Sequence, residues 1–458
     1  MPLGSNILLL IADQLRADCV SPSEHPVRMP HVERLAREGV RFDRAYSASA
    51  LCAPARRTLA SGQRPHRHGV LDEHWKTPLV GATLSRILAG QDYRTHLVGK
   101  LHLWPSWRAH GYQSAEWSDW VDPHGGGDYR EFVRTRAGDA PWIDGEHDFN
   151  QNSRAVRRWA LPEALHFTNW CADSALRFLE SRNASQAFLL TVSFIAPHPP
   201  LFPLPKFLEK YAALPTRQPL ESEWSRELGE TLPDGRTATF WRGRLDPDSM
   251  HLLRAAYYAC IEHLDEQIGR ILQDVPDDTL VIFLSDHGDM LGDHCLFQKR
   301  APYESSARVP MIIRPPRGTG FERAGSSSDV AVELMDVMPT VLDYLDLPIP
   351  TSVDGLSLMP LMRGDSLTRR FIHGENAKLP PMRSSMHFVT DGRWKYIWYP
   401  QRDREQLFCL ESDAYEAHDL RGAPLARDAL ENLRYAMWKA LSDRSELGYG
   451  ARLRSQIS

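Results

Sequence analysis

The chain has 458 residues of ordinary globular composition, 42% hydrophobic and 25% charged, with a formal net charge of −5 at pH 7. The length allows a large core and two domains. Basic side chains are interspersed with acidic ones, so we expect neither a nucleic-acid partner nor binding to an anionic membrane, since both require basic patches.

The N-terminal segment is the first predicted element. MPLGSNILLLIADQ has neither a basic start nor a small-residue cleavage site, which favours a buried strand over a signal peptide. No apolar run approaches the length of a membrane span. The six cysteines are scattered without a CxxC pair, which is typical of reduced thiols in a long cytoplasmic chain. We therefore expect a cytoplasmic protein.

Buried strands alternate with helical patterns over residues 1–365. Four near-continuous apolar runs are typical of strands covered on both faces: NILLLIAD, YRTHLVGKLH, AFLLTVSFIAPHPP and TLVIFLSDHGD. The helical patterns are HVERLAREGVRF, TLSRILAGQ, ADSALRFLESR and LRAAYYACIEHLDEQIGRILQDV. This alternation predicts an α/β fold with a large, mostly parallel sheet sandwiched by helices. Residues 103–160 show little periodicity and predict a long loop region.

A second, smaller unit is predicted over residues 366–458. RSSMHFVTDGRWKYIWYP alternates like two strands joined by a turn at Asp391-Gly392, and the strand EQLFCLE follows. The helical segment LARDALENLRYAMWKALSDRSEL comes next. We predict a C-terminal subdomain in which a small antiparallel sheet packs against one helix.

Polar residues follow each of the four buried strands. They are Asp13, Lys100 with His102, His198, and Asp286 with His287. A solvated loop group is the ordinary interpretation of any one of them. Because ligands in open α/β sheets bind outside the carboxyl ends of the strands, we expect these side chains to converge at one rim.

The segment CAPARRTLASG, residues 52–62, predicts a short helix that begins at Cys52 and stops at Gly62. Cys52 would lie at the helix N-terminus, where free N–H groups favour an anion. Arg56 follows one turn later on the same face. A nucleophile beside a guanidinium suits a tetrahedral oxyanion substrate. A capping thiol beside a surface arginine is the alternative.

This segment resembles the C-x-P-x-R signature of the type I sulfatases, which belong to the alkaline-phosphatase superfamily. Further resemblances cover nearly the whole chain: ILLLIADQLRAD, VGKLHL, APHPP, SDHGDMLGDHCLFQKRAPYESSARVPMIIRPP, DVMPTVLDYL, DGRWKYI and QLFCLESD. The resemblance implies an alkaline-phosphatase-like fold with a sulfatase catalytic domain at residues 1–365. It also implies that a formylglycine-generating enzyme oxidises Cys52 to formylglycine, whose hydrate supplies the nucleophile.

The resemblance also implies a metal site. Asp13, Gln14, Asp286 and His287 match the positions that bind one divalent cation, and the modified Cys52 is a further expected ligand. Oxygen-rich ligation favours Ca²⁺, with Mn²⁺ or Mg²⁺ as alternatives. Gln14 stands where many sulfatases have a second aspartate and His287 where many have asparagine, which lowers the ligand charge. Phosphonate monoester hydrolases and choline-sulfatase-like enzymes are similar at both pairs.

Catalytic roles are implied for five further residues. Arg56 would hold the hydrate and neutralise nearby charge. Lys100 and His102 match the pair beside the nucleophile, with His102 as the base that expels sulfate. His198 and Lys299 match residues that grip the sulfate oxygens and aid the leaving alcohol, so Lys100, His198 and Lys299 are the predicted substrate-binding residues.

The implied function is hydrolysis of a small sulfate monoester, either of a carbohydrate or of an osmolyte. The alternative is a phosphonate monoester or phosphodiester hydrolase that uses the same site. An inactive binding protein is a third hypothesis, opposed by the complete set of catalytic positions. The sequence is compatible with a homo-oligomer.

Five tryptophans follow the segment that carries Lys100 and His102. They are Trp104, Trp107, Trp117, Trp120 and Trp142. They either stack on a sugar ring or a quaternary ammonium, or fill a loop-rich region, and both interpretations stay open.

Overall fold

The computed structural model describes residues 5–20, 25–72, 76–106, 109–119, 127–138, 154–228, 241–319, 323–376, 385–402, 404–442 and 444. Their strands are β1 (Asn6–Asp13), β2 (Val40–Phe42), β3 (Ala45–Tyr46), β4 (Arg94–Gly99), β5 (Ser114–Trp117), β6 (Phe188–Pro197), β7 (Thr279–Ser285), β8 (Arg308–Val309), β9 (Met311–Arg314), β10 (Ser326–Ser328), β11 (Val332–Glu333), β12 (Ile372–Asn376), β13 (Met386–Thr390), β14 (Trp394–Tyr399) and β15 (Arg404–Cys409). Their α-helices are α1 (Pro30–Glu38), α2 (Cys52–Ser61), α3 (Pro65–His68), α4 (Leu84–Ala89), α5 (Asp128–Ala137), α6 (Phe167–Ser181), α7 (Pro205–Ala212), α8 (Pro247–Asp274), α9 (Glu304–Ala307), α10 (Val337–Tyr344), α11 (Met359–Arg363) and α12 (Arg427–Leu441).

The main sheet has eight strands in the order β10-β2-β9-β7-β1-β6-β4-β5. Strands β7, β1, β6, β4 and β5 run parallel to one another, and β10 runs parallel to β2. Only β9 runs antiparallel to its neighbours in this sheet, β7 and β2. The prediction of a large, mostly parallel sheet is therefore confirmed. A small sheet of β11, β3 and β8 lies beside it.

Helices cover both faces of the main sheet, which explains the continuous apolar runs of its central strands. All eight residues of β1 and all seven of β7 are buried. Alternate side chains of β1 enter two separate cores. Leu8 and Leu10 pack with α1, α6 and α8, whereas Leu9 and Ile11 pack with α2, α4 and α10. A strand buried on both faces needs no polar side, so its sequence shows no alternation.

The C-terminal unit is a separate antiparallel sheet in the order β12-β13-β14-β15. One face packs against α12 through Tyr396 and Leu433. The other face packs against the main body, where Phe388 joins a core with Tyr46 and Tyr303. The predicted small sheet with a helix is confirmed, while the division of the chain at residues 365 and 366 stays a prediction.

The region predicted as a long loop, residues 103–160, contains regular structure. Strand β5 extends the main sheet at its edge, and helix α5 buries only Tyr129 and Val133. A four-residue, half-buried edge strand and a mostly exposed helix carry little hydrophobic periodicity, so the pattern did not predict them. Residues 139–153 lie outside the described residues.

The first helical pattern is also shorter than predicted. Helix α1 ends at Glu38, and the apolar residues that follow form strand β2. Gly39 lies so close to β9 that a Cβ atom there would come within 2.5 Å of the Ile313 carbonyl oxygen. Within the described residues, no helix combines the length and apolarity needed to cross a bilayer.

Candidate active site

The four predicted strand ends meet at one rim of the main sheet. In the order β7-β1-β6-β4, they are followed or ended by Asp286, Asp13, His198 and Lys100. Gln14, next to Asp13, has a left-handed backbone with φ 68°, and its N–H donates to Asp286 at 3.2 Å. The sheet thus brings together side chains that are up to 273 positions apart in sequence.

Cys52 is the first residue of α2, and its side chain is buried among charged groups. Its Sγ atom lies 3.1 Å from His287 Nε2 and 3.8 Å from Asp13 Oδ1. Burial alone would raise the pKa of this thiol, but Lys100, Lys299 and His287 together hold it well below its usual value. The predicted helix start is confirmed, and the site around it stabilises negative charge on the Cys52 side chain.

Arg56 connects the cysteine helix to the strand ends. Its Nε donates to Asp286 at 2.8 Å, and its Nη2 contacts Asp13 at 3.2 Å. Nη1 donates to the Lys100 carbonyl at 2.9 Å and to Ser193 Oγ at 2.8 Å. Arg56 is 4% exposed, so the alternative of a surface arginine is excluded. With these partners, Arg56 fixes both carboxylates of the site.

Lys100 and His102 also lie beside Cys52. Lys100 Nζ donates to Asp13 at 2.5 Å. The backbone of His102 is left-handed, with φ 53°, and its N–H donates to Asp119 at 3.0 Å. A hydrogen bond from the His102 side chain contributes to the low pKa of Cys52. The strand end that carries the G-K-x-H segment is therefore directed at the nucleophile position.

Lys299 and His198 form a second pair beside Gln14. Lys299 Nζ donates to His198 Nε2 at 2.5 Å and to Gln14 Oε1 at 2.9 Å. His198 Nδ1 contacts the carbonyl of Pro199, which can only accept, so Nδ1 carries the proton. Burial and the neighbouring Lys299 charge lower the pKa of His198. His198 is therefore neutral, and Lys299 retains one N–H for a substrate oxygen.

The residues predicted to hold a metal fit that role in part. One ligand atom from each of Asp13, Cys52, Asp286 and His287 lies within 4.8 Å of the others, and all four residues are buried. Two carboxylates and one imidazole suit a divalent cation. Burial and Cys52 act to raise the pKa of Asp13, but Lys100 and Arg56 hold it below its usual value, so Asp13 is charged.

Gln14 occupies a different position within this group. Its Oε1 accepts from Lys299, and its Nε2 donates to Asp289 Oδ2 at 2.5 Å. An amide oxygen that already accepts one hydrogen bond keeps one lone pair for a cation. Its assignment as a metal ligand stays a prediction, and in this structure the amide links Lys299 to Asp289.

Several positioning residues were absent from the prediction. Asp289 holds the Gln14 amide, Asp119 holds the His102 backbone, and Ser193 accepts from Arg56. Ser285 Oγ accepts from the N–H of Leu15, and its single hydroxyl hydrogen is shared between the carbonyls of Ala12 and His287. Asp289 lies inside the SDHGD segment, three residues after Asp286. This closeness in sequence was the one feature that could have identified a positioning residue in advance.

Of the five tryptophans, Trp104 and Trp117 lie within the described residues. Trp117 ends the edge strand β5, and the Trp104 ring lies 5.3 Å from the Lys76 ammonium. Trp107, Trp120 and Trp142 lie outside the described residues. Both interpretations of this group, a stacking surface and the filling of a loop-rich region, therefore stay open.

Comparison with known protein families identifies the family of this chain. A family model described as Sulfatase matches residues 5–347, which include every site residue above. The chain belongs to the sulfatase family. It is therefore a sulfuric ester hydrolase with an alkaline-phosphatase-like fold. A second model, N-sulphoglucosamine sulphohydrolase, C-terminal, matches residues 292–443.

Individual relatives match over nearly the whole sulfatase chain. An arylsulfatase of Clostridium perfringens is 32% identical over 97% of this chain and 95% of its own. A choline-sulfatase of Rhizobium meliloti is 29% identical over 94% of this chain and 86% of its own. The solved structure of a phosphonate monoester hydrolase of Agrobacterium radiobacter superimposes with a TM-score of 0.78 at 23% identity, covering 99% of this chain and 96% of its own. At that identity the last comparison supports the fold alone.

Proposed function

We propose that this sulfatase hydrolyses the sulfate monoester of a small alcohol, with a formylglycine derived from Cys52 and one divalent cation. The observation that carries the proposal is the environment of Cys52. It begins a helix at the rim where four strands end, 3.1 Å from His287 and 3.8 Å from Asp13. Burial acts to raise the pKa of its thiol, but the neighbouring Lys100 and Lys299 ammonium groups lower it.

The cationic groups around Cys52 reduce the main barrier to hydrolysis of a sulfate ester, which is electrostatic repulsion. A nucleophile that approaches sulfur meets a ring of negative oxygens, and cationic groups reduce this repulsion and stabilise charge in the transition state. Lys100, Lys299 and Arg56 are buried here, so their fields are weakly screened. A divalent cation held by Asp13, Asp286, His287 and Gln14 would add Lewis-acid stabilisation, with Ca²⁺ as the expected ion.

The residues around Cys52 have two proposed roles, one toward the nucleophile and one toward the leaving group. His102 contributes to the low pKa of the Cys52 thiol, and we assign it as the base that accepts a proton from the nucleophile. Lys299 retains one N–H after bonding to His198 and Gln14. We assign that N–H to the leaving oxygen of the ester, with neutral His198 as the hydrogen-bond partner that positions Lys299.

The first experiment is the mass of the tryptic peptide that carries Cys52, which spans residues 45–56. Protein is made with and without a formylglycine-generating enzyme. We expect a loss of about 18 Da with the enzyme, as a thiol becomes an aldehyde. Cys52→Ala should abolish turnover, whereas Cys295→Ala, at another buried thiol, should leave both conversion and turnover intact.

The second experiment compares three substrates with the converted protein: an aryl sulfate, a phenylphosphonate monoester and a phosphodiester. We expect the highest kcat/KM for the sulfate. A higher value for the phosphonate would replace the proposed reaction with the alternative one. An unmodified thiol together with full activity would contradict the role of formylglycine. The cytoplasmic location and the homo-oligomer stay predictions.

A further inference from the structure

A cavity of about 250 Å³ opens beside the candidate active site, between the main body and the C-terminal sheet. Leu51, which precedes Cys52, and Lys299 both line it. The backbone N–H of Arg300 donates to the Ala50 carbonyl at 2.9 Å, which ties the wall of the cavity to the segment that carries the nucleophile. The cavity therefore adjoins the site at Leu51 and Lys299.

The cavity lies on the side of the site that faces the leaving group. Lys299 connects the two spaces, since it bonds to His198 and Gln14 at the rim and also lines the cavity. An ester whose sulfur is at Cys52 and whose bridging oxygen is at Lys299 must place its alcohol beyond Lys299. That space is this cavity.

The described lining of the cavity carries an excess of positive charge. Besides Lys299, the lining includes Arg300, Arg402 and Arg404, and the acidic residue of the described lining is Asp72. Guanidinium groups bind carboxylates and sulfates through paired N–H donors. Three of them around one cavity favour an anion there and repel a cationic alcohol.

One of these arginines, Arg404, lies against a group of aromatic residues. Arg404 lies 5.9 Å from the Trp224 ring centre, and its Nη2 donates to the Trp224 carbonyl. Tyr399 donates to the Tyr303 hydroxyl at 3.2 Å, and the Trp224 and Tyr303 rings stack at 4.7 Å. Trp241, 45% exposed, offers a further ring at the cavity. A flat ring with polar substituents fits between such surfaces.

We propose that the alcohol part of the substrate is a small ring that carries a second anionic group, which Arg300, Arg402 and Arg404 bind. This inference rests on the proposed function and narrows it: a carboxylated or further sulfated ring, as in an acidic sugar, is accepted, and a cationic osmolyte is rejected. The second anion adds binding energy remote from the sulfur, which orients the ester for attack.

The test uses two aryl sulfates of the same shape and different charge, para-carboxyphenyl sulfate and para-carbamoylphenyl sulfate. The converted protein should show a kcat/KM at least about tenfold higher for the carboxylate, as expected for charge-assisted bonds. Arg402→Gln and Arg404→Gln should each lower this ratio several-fold. Arg393→Gln, an exposed arginine paired with Glu411 on the same sheet, is the matched control and should leave the ratio unchanged.

Calorimetry of product binding tests the inference without turnover. We expect para-hydroxybenzoate to bind more tightly than para-hydroxybenzamide, and Arg402→Gln to remove the difference. Because Arg402 is exposed, this variant should fold even where Arg404→Gln does not. Equal binding of the two products, or faster hydrolysis of choline sulfate than of the carboxylate, would overturn the inference. Preferential binding of the benzoate without hydrolysis of either sulfate would instead contradict the proposed function alone.

Discussion

Asp293 is the acceptor at the centre of a buried charge network, and replacing it with asparagine should destabilise the protein strongly. Its carboxylate accepts from Arg16 and Arg254, both at 2.9 Å, and from the Leu220 N–H at 3.0 Å, with Arg217 at 3.6 Å. Arg16 and Arg254 are fully buried, and Asp293 is 1% exposed. Asp293→Asn keeps the shape of the side chain and removes its charge.

Two independent considerations give the expected loss in the free energy of unfolding. Burial acts to raise the pKa of Asp293, but Arg16, Arg254 and Arg217 lower it from 3.8 to about 2. At about 1.4 kcal/mol for each pKa unit, this corresponds to about 2–3 kcal/mol of stabilisation. Removing one partner of a buried ion pair typically costs about 3–5 kcal/mol, because the other charge stays buried. We therefore expect a loss of about 3 kcal/mol in the free energy of unfolding.

The same network braces the loop that leads from β7 to Lys299. Arg16 donates to the Asp289 carbonyl at 2.9 Å, and Arg254 donates to the Leu291 carbonyl at 2.9 Å. The loss should therefore reach the active site as well as the fold. We expect Asp293→Asn to lower kcat/KM at temperatures where the protein is still folded, since Lys299 loses part of its support.

The assay is urea unfolding at pH 7, followed by tryptophan fluorescence and by circular dichroism, whose transitions should coincide. Asp277→Asn is the matched control, because Asp277 is 72% exposed and pairs with the half-exposed Arg317. It should change the free energy by less than about 0.5 kcal/mol. A loss below about 1 kcal/mol for Asp293→Asn would refute the reasoning.

The pH dependence provides a second check. A carboxyl group whose pKa is lower in the folded chain stabilises the protein above its unfolded pKa, and this stabilisation is lost as the pH falls toward the folded pKa. For Asp293 that window lies between 3.8 and about 2. The difference between the wild type and Asp293→Asn should therefore be constant from about pH 5 to pH 8. A difference that varies across this range would show that another group is responsible.

Three further predictions concern the sheet, the metal and the leaving group. Gly99→Ala should lower the melting temperature severely, because its backbone has φ +90° and a Cβ there would lie 2.0 Å from the Ser193 carbonyl oxygen. The control Gly81→Ala has a similar φ of +96° but open space around it, so it should lower the free energy of unfolding by only about 1–2 kcal/mol. Similar losses of stability in the two variants would contradict the steric argument. Dialysis against a chelator should abolish turnover, and a divalent cation should restore it, while activity that survives complete metal removal would exclude the metal role. His198→Ala should slow esters of poor leaving groups more than esters of good ones, because His198 positions Lys299, and equal losses across a leaving-group series would reject that assignment.

The sequence predicted the parts of the site that depend on strand ends and on one helix start. A strand buried on both faces is visible as a continuous apolar run, and the polar residue that follows it has a fixed place at the rim, as Asp13 and Asp286 show. Cys52 and Gly62 bound a helix by local chemistry alone, and α2 has those bounds. These features need no knowledge of distant contacts.

Other features depend on distant contacts and leave no local pattern. Trp241, Arg300 and Arg404 line one cavity although they come from a loop, a turn and an edge of the C-terminal sheet. Asp119 holds the His102 backbone from a segment that the sequence presented as a structureless loop. Periodicity reports which side of an element is buried, and it carries no information about which remote segment covers it.

The burial of Cys52 limits the time during which another enzyme can modify its side chain. Any enzyme that modifies this residue needs access to a side chain that is 6% exposed once the rim has closed. Closure requires β7, because β1 lies between β6 and β7, and β7 ends at Ser285. A ribosome that adds about 5–20 residues per second takes about 10–50 s to extend the chain from Cys52 to Ser285. Strand β7 pairs with β1 in the sheet but is synthesised long after it. The side chain of Cys52 therefore stays accessible to a modifying enzyme on the growing chain for that interval.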